Sequence, residues 1–190
     1  MSRSRATVLG LVAFLAFLAL LAADPAAADQ RDGRLPALFA ALLDAPDHVA
    51  AQALEAEIWT IWYEHDDRAI VLLMRQGRAA MARRDYAGAQ RSFDQVVKIA
   101  PRYAEGWNAR ATLHYLMGGY QASLADIEKT LALEPRHFGA LSGRGLVYAA
   151  LERWEAALAA FEAALAVNPQ MPGPRLNAEA IRKELSAREI

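Results

Sequence analysis

The sequence predicts an all-α fold: a solenoid of three stacked helix pairs, preceded by a helical shield and closed by a capping helix. Two observations carry this expectation. Pro101, Pro135 and Pro169 fall 34 residues apart, each closing a run of the same kind, VVKIAP, TLALEP and ALAVNP. Five more positions keep the same phase: Leu73, Trp107 and Leu141; Gly77, Ala111 and Gly145; Tyr86, Tyr120 and Trp154; Ala89, Ser123 and Ala157; Phe93, Ile127 and Phe161. Self-similarity at a fixed period of this length marks a stacked array, in which each unit buries its apolar face only against its neighbours.

The elements follow in order. Arg3 and Arg5 precede an uncharged run, TVLGLVAFLAFLALLAA, and small residues at Ala26 and Ala28 follow it. Basic, then apolar, then A-x-A is the order of a signal peptide, so residues 1–28 are expected to be cleaved after Ala28. The alternative is an anchor at residues 7–23, which at 17 residues is at the short edge of what spans a bilayer. Residues 29–69 form the expected shield. DQRDGR at Asp29–Arg34 reads as a mobile polar lead; LPALFAALLDA and HVAAQALEAEIWTIWYEH read as two helices. The second has Leu54, Ile58, Ile61 and Trp62 along one face and Asp47 as N-cap. Both lie out of phase with the repeat and are expected to cover Leu73 and Gly77 of the first pair.

The repeats occupy residues 70–171, as 70–103, 104–137 and 138–171. RRDY, MGGY and LERW are the turns inside each pair. Each proline stops the second helix, because it lacks an N–H and clashes with the preceding turn. Helices are expected at about 70–83, 86–98, 104–117, 120–133, 138–151 and 154–167. Small residues at Gly77, Ala89, Ala111, Ser123, Gly145 and Ala157 allow close helix approach, while Trp107, Tyr120, Ile127, Trp154 and Phe161 fill the space between pairs. Residues 172–190 form the cap, in which RLNAEAIRKELSAREI places Leu176, Ile181 and Leu185 on one stripe and Glu179, Arg182, Lys183 and Glu184 on the other.

This pattern of Trp or Leu, a small residue four positions on, an aromatic, an Ala, an aromatic or aliphatic and a closing Pro resembles the tetratricopeptide repeat (TPR). The resemblance implies a right-handed α-solenoid of three TPR helix pairs. It also implies a peptide or protein partner held on the concave surface.

Charge and chemistry narrow the function. The formal net charge is −1, which argues against nucleic acid as a partner, and the absence of cysteine excludes disulfides and thiolate metal sites. His48, His65, His114 and His137 share no helix face at zinc-ligand spacing. His114 reads as a packed histidine and EHDDR, Glu64–Arg68, as a solvated turn. Ser92, Ser123, Ser142 and Ser186 lack nucleophile context, and no glycine-rich phosphate loop exists. The chain therefore reads as no enzyme and as needing no cofactor or metal. Arg110 and Asp126 are expected to form an intramolecular ion pair, and Trp107 to be buried.

Counting along the first helix of each pair, the concave face is expected to carry Met74, Arg78, Met81, Asn108, Thr112, Tyr115, Ser142 and Leu146. Methionines, an aromatic and a few polar groups suit a peptide groove. The competing expectation is a groove filled by the chain's own Trp59, Trp62 and Tyr63. The Lys, Asn and Arg clamp with which related repeats hold acidic chaperone tails is absent: Met74, Arg78, Ala109, Gly139 and Gly143 stand there. The expectation is thus a non-catalytic interaction module or assembly scaffold of the bacterial envelope, periplasmic or secreted, touching membrane only through an uncleaved N-terminal segment. The alternatives are an accessory to an envelope enzyme, contacting a small molecule or glycan through Tyr115 and Trp154, or a self-associating structural protein.

Overall fold

The structure, a computed structural model, describes residues 30–188. The signal-peptide reading and the alternative anchor at residues 7–23 lie outside the described residues. Among these residues the chain is helical without strands: α1 (Leu35–Leu43), α2 (His48–Tyr63), α3 (Arg68–Ala82), α4 (Tyr86–Ile99), α5 (Ala104–Leu116), α6 (Tyr120–Leu133), α7 (Phe138–Ala150), α8 (Trp154–Val167) and α9 (Pro172–Arg188). Three pairs, α3/α4, α5/α6 and α7/α8, stand where the 34-residue period predicts them.

Local chemistry sets the ends of these helices. The side chains of Asp47, Asp67, Asp85 and His137 accept hydrogen bonds from the backbone N–H of Ala50, Ala69, Gly88 and Ala140, satisfying donors that a helix start leaves orphaned. Inside each pair the first helix closes on a residue of positive φ: Arg84 at 62°, Gly118 at 74° and Glu152 at 56°. The N–H of the following residue then reaches back to Ala80, His114 and Tyr148 respectively, the helix-ending Schellman bond.

Packing within a pair depends on one matched contact. A Cβ added to Gly77 would overlap the Phe93 ring, and one added to Gly145 would overlap Phe161. The middle pair has Ala111 with Ile127 at the same two positions, both buried. The smaller aliphatic leaves room for the methyl group that the rings exclude.

Several expectations change. Trp107 is only partly buried: its indole N–H donates to the Pro101 carbonyl at 2.9 Å, and the Arg110 guanidinium lies 5.0 Å from its ring centre. The capping helix starts at Pro172, so Pro172, Gly173 and Pro174 form its first turn, where proline is tolerated, and not a lead into it. Its buried stripe is Pro174, Ala178 and Ile181, with Leu185 partly buried beside them, packed on the last pair through Ala157, Phe161 and Trp154, while Leu176 is 65% exposed. The polar lead is anchored, since Gln30 is buried and its side-chain amide donates to the Arg102 carbonyl at 2.6 Å.

The largest difference concerns α1 and α2. They do not cover Leu73 and Gly77; Phe93 fills that space from within the pair. The two helices fold back along the array, and Leu35, Leu38, Phe39, Leu42, Ile58, Ile61 and Trp62 form one core with Phe138, Val167 and Met171 of the last pair and its exit. Polar ties fasten the same contact: Asn168 donates to Glu55 at 2.7 Å and Gln170 to the Ala45 carbonyl at 3.1 Å.

Candidate functional site

The concave face is lined by α3, α5 and α7, and α2 occupies one end of it. Trp62, 1% exposed, stacks on the His137 ring with centroids 4.1 Å apart and planes 9° from parallel. Trp59 meets Trp62, His137 and Phe138 edge-on and stacks with Tyr63; a Cβ on Gly139 would collide with the Trp59 ring. Tyr63 in turn covers Arg78, whose guanidinium carbon lies 4.5 Å from the phenol ring centre.

The eight predicted groove residues therefore divide. Asn108, Thr112 and Tyr115 from α5 and Ser142 and Leu146 from α7 line one pocket of about 200 Å³, floored by Ile127 and Ala140 and edged by Met171. Met74 is absent from it: at 1% exposure it packs among Ile70, Phe93, Tyr103, Ala109 and Leu113, and Met81 lies against the same cluster. Arg78 lies beneath Tyr63. The first helix of the first pair thus sends its methionines into the stack. What stays open is the stretch between α5 and α7 that α2 does not reach.

Sequence reading missed the polar hinge under α2. The His137 Nδ1 accepts from the Ala140 N–H at 3.1 Å, so Nε2 carries the proton and donates to Glu105 Oε2 at 3.2 Å. Asn108 donates to the same oxygen at 2.8 Å, and His137 and Glu105 are 0% and 4% exposed. A usable signal was present: His137 is in phase with Tyr103 and Met171, and all three touch the N-terminal segment. Tyr103 donates to the Tyr63 carbonyl at 3.5 Å, and Met171 joins the α1/α2 core.

Charges respond to these surroundings. Burial pushes the Tyr63 phenol up, the Glu105 carboxylate adds to the shift, and Arg78 opposes it. Burial pushes the His65 imidazole down against the pull of Asp67 and Asp66. Arg110 forms the expected pair, donating twice to Asp126 at 2.8 Å and once to Asp94 at 2.8 Å, and the Asp126 bond pushes its guanidinium up. His114 lies 3.6 Å from Asp126 in the same cluster. Among the described residues no group of three His, Asp or Glu side chains is placed to hold a metal ion. Nor is any described helix long and apolar enough to cross a membrane.

Comparison with known proteins agrees with this architecture. The tetratricopeptide repeat model matches residues 74–118 and 109–172. A TPR repeat-containing protein of Rhizobium etli is 36% identical over 98 residues, which is 52% of this chain and 48% of that protein. The chain thus spans about half the length of the curated relative it matches. The TPR domain of Arabidopsis OM64 superposes with a TM-score of 0.60 at 22% identity, covering 61% of this chain and 96% of that one. The Sgt2 TPR domain of Aspergillus fumigatus gives 0.62 at 22% identity, over 65% and 83%. The first TPR of Spaghetti (RPAP3), bound to the HSP90 peptide SRMEEVD, gives 0.61 at 20% identity, over 64% and 96%. These likenesses show the fold.

Proposed function

Since the chain belongs to the tetratricopeptide repeat family, we propose that it is a non-catalytic interaction module, exported to the bacterial envelope, that seats a short apolar segment of a partner protein between α5 and α7. One observation carries this reading: Asn108, Thr112, Tyr115, Ser142 and Leu146 converge on a single pocket on the concave face. Tyr115, Leu146, Ile127 and Met171 supply apolar walls, and Asn108, Thr112 and Ser142 supply polar groups that set register. The pocket accepts one or two side chains rather than a long helix, because Trp59 and Trp62 hold the adjoining end.

An acidic chaperone tail is not the ligand in this reading. The Spaghetti domain binds such a peptide, but here Met74, at one of the clamp positions, is buried, and Ala109, Gly139 and Gly143 offer no charge. Export rests on the basic, apolar and A-x-A order of residues 1–28.

A photoreactive residue at Tyr115, compared in cells with one at the exposed Glu179, tests the reading. Capture of a defined protein at Tyr115 alone, lost on Leu146→Arg while helicity is kept, is the expected result. Capture of nothing but the chain's own α2 would sink it.

A further inference from the structure

The eight links between the described helices are not alike. Seven contain a proline or a residue of positive φ: Pro46, Arg84, Pro101, Gly118, Pro135, Glu152 and Pro169. A proline removes a ladder donor, and a left-handed residue turns the chain out of the helix. The α2–α3 link, residues 64–67, has neither, and residues 48–76 contain no glycine or proline at all. Side chains hold its bend. His65 Nδ1 accepts from the Asp67 N–H at 3.0 Å, and the Asp67 carboxylate accepts from the Ala69 N–H at 2.7 Å. The His65 ring meets Tyr103 edge-on with centroids 5.0 Å apart.

The arm that this link carries is seated far from it. The apolar core of α1 and α2 is closed by Phe138, Val167 and Met171 and, among the described residues, includes none from α3 to α6. Its polar ties join Glu55 to Asn168 and Ala45 to Gln170, more than a hundred positions along the chain. If the arm leaves its own seat for the same seat on a second copy, it remakes these contacts there, and only the link differs. Opening without exchange instead leaves Leu35, Phe39, Leu42, Ile58, Ile61 and Trp62 in water. The seat therefore changes hands at less cost than it stands empty.

We propose that the seat formed by His137, Phe138, Val167 and Met171 takes the α1/α2 arm of a second copy, in a two-fold dimer in which residues 64–67 straighten and join α2 to α3. Each copy then supplies Trp59 and Trp62 to the concave face of the other, beside the Met171 edge of the pocket. A short link gives the chain's own arm an effective concentration of the order of mM, so exchange competes near that value. The Asp67 cap, which favours the bent link, sets the balance. This exchange concerns the seat of α1 and α2 and stands apart from the reading of the open pocket.

Glu55 and Gln170 flank Asn168, which bonds to both, and the chain has no cysteine. Full chains with Glu55→Cys and with Gln170→Cys are mixed, unfolded in urea, refolded together and joined with a short bis-maleimide. Refolding is done at about 0.01 mM and about 1 mM, well below and at the effective concentration. The expected product has twice the chain mass, joins one variant to the other, and comes mainly from the concentrated mixture. A single chain carrying both cysteines links to itself when refolded dilute. Asp67→Ala, which removes the cap, raises the mixed product. The Asp66 N–H has no acceptor among the described residues, so a proline fits the bent link there and interrupts a straight one. Asp66→Pro is thus expected to abolish the mixed product and to keep the link within one chain. A concentrated mixture that yields no mixed product, while the doubly substituted chain links to itself, overturns the proposal. So does a mixed product that Asp66→Pro leaves unchanged, which would belong to contact between unexchanged monomers.

Discussion

Asp126 is 4% exposed and is held by two hydrogen bonds from Arg110, with His114 beside it. Its counterparts one period away are Ser92 and Ala160, so this pair belongs to the middle repeat alone. Asp126→Ala is expected to destabilise by about 2–3 kcal/mol, short of the range for a fully buried pair, because Arg110 keeps Asp94 and is partly exposed. Urea unfolding followed by circular dichroism measures this, and an unchanged midpoint contradicts it. The pair could be foreseen because two neighbouring helices place opposite charges at adjoining positions. For the bond between His137 and Glu105 the repeat phase marks only His137, and its partner, 32 residues away, is reached only in the folded array, under Trp62.

Each helix pair is built around one small residue and one large one. Gly77 with Phe93 and Gly145 with Phe161 follow one solution; Ala111 with Ile127 follows another. Gly145→Ala is therefore expected to cost about 1–3 kcal/mol by overpacking. Adding Phe161→Ile, which reproduces the middle pair, should recover part of that loss. Thermal unfolding of the single and double variants decides the matter; equal loss in both would mean that the ring does not set the spacing. At this scale the sequence was highly informative, because helix length, turn and spacing repeat and so identify one another. The misplaced stripe of α9 has a local cause. Beginning the helix at Pro172 puts Pro174 on its buried face, which a start after Pro174 concealed, and leaves Leu176 outside.

Over the whole molecule, the fold-back of α1 and α2 governs how much of the groove remains free. Its interface is mainly a stack of aromatic rings, Trp59 and Trp62 against His137 and Phe138 with Phe39 beside Trp62, and has few polar ties. Trp62→Ala is expected to release α1 and α2 while the repeats remain folded. Hydrogen exchange should quicken in residues 35–63 and stay slow in α5–α8. Uniform quickening would mean that the array needs this clasp to fold.

Period, composition and turn chemistry determine the three helix pairs, their caps and the order of charge along the chain, because these depend on neighbours within one repeat. Where α1 and α2 dock does not follow from them. Both are apolar along one face and could cover either end of the stack or its concave side. Only the assembled array decides, through the shape that the Gly139 backbone and the His137 ring offer to Trp59 and Trp62. That choice leaves the outer face of α3 uncovered by any described residue, and among the described residues it confines the open groove to the space between α5 and α7.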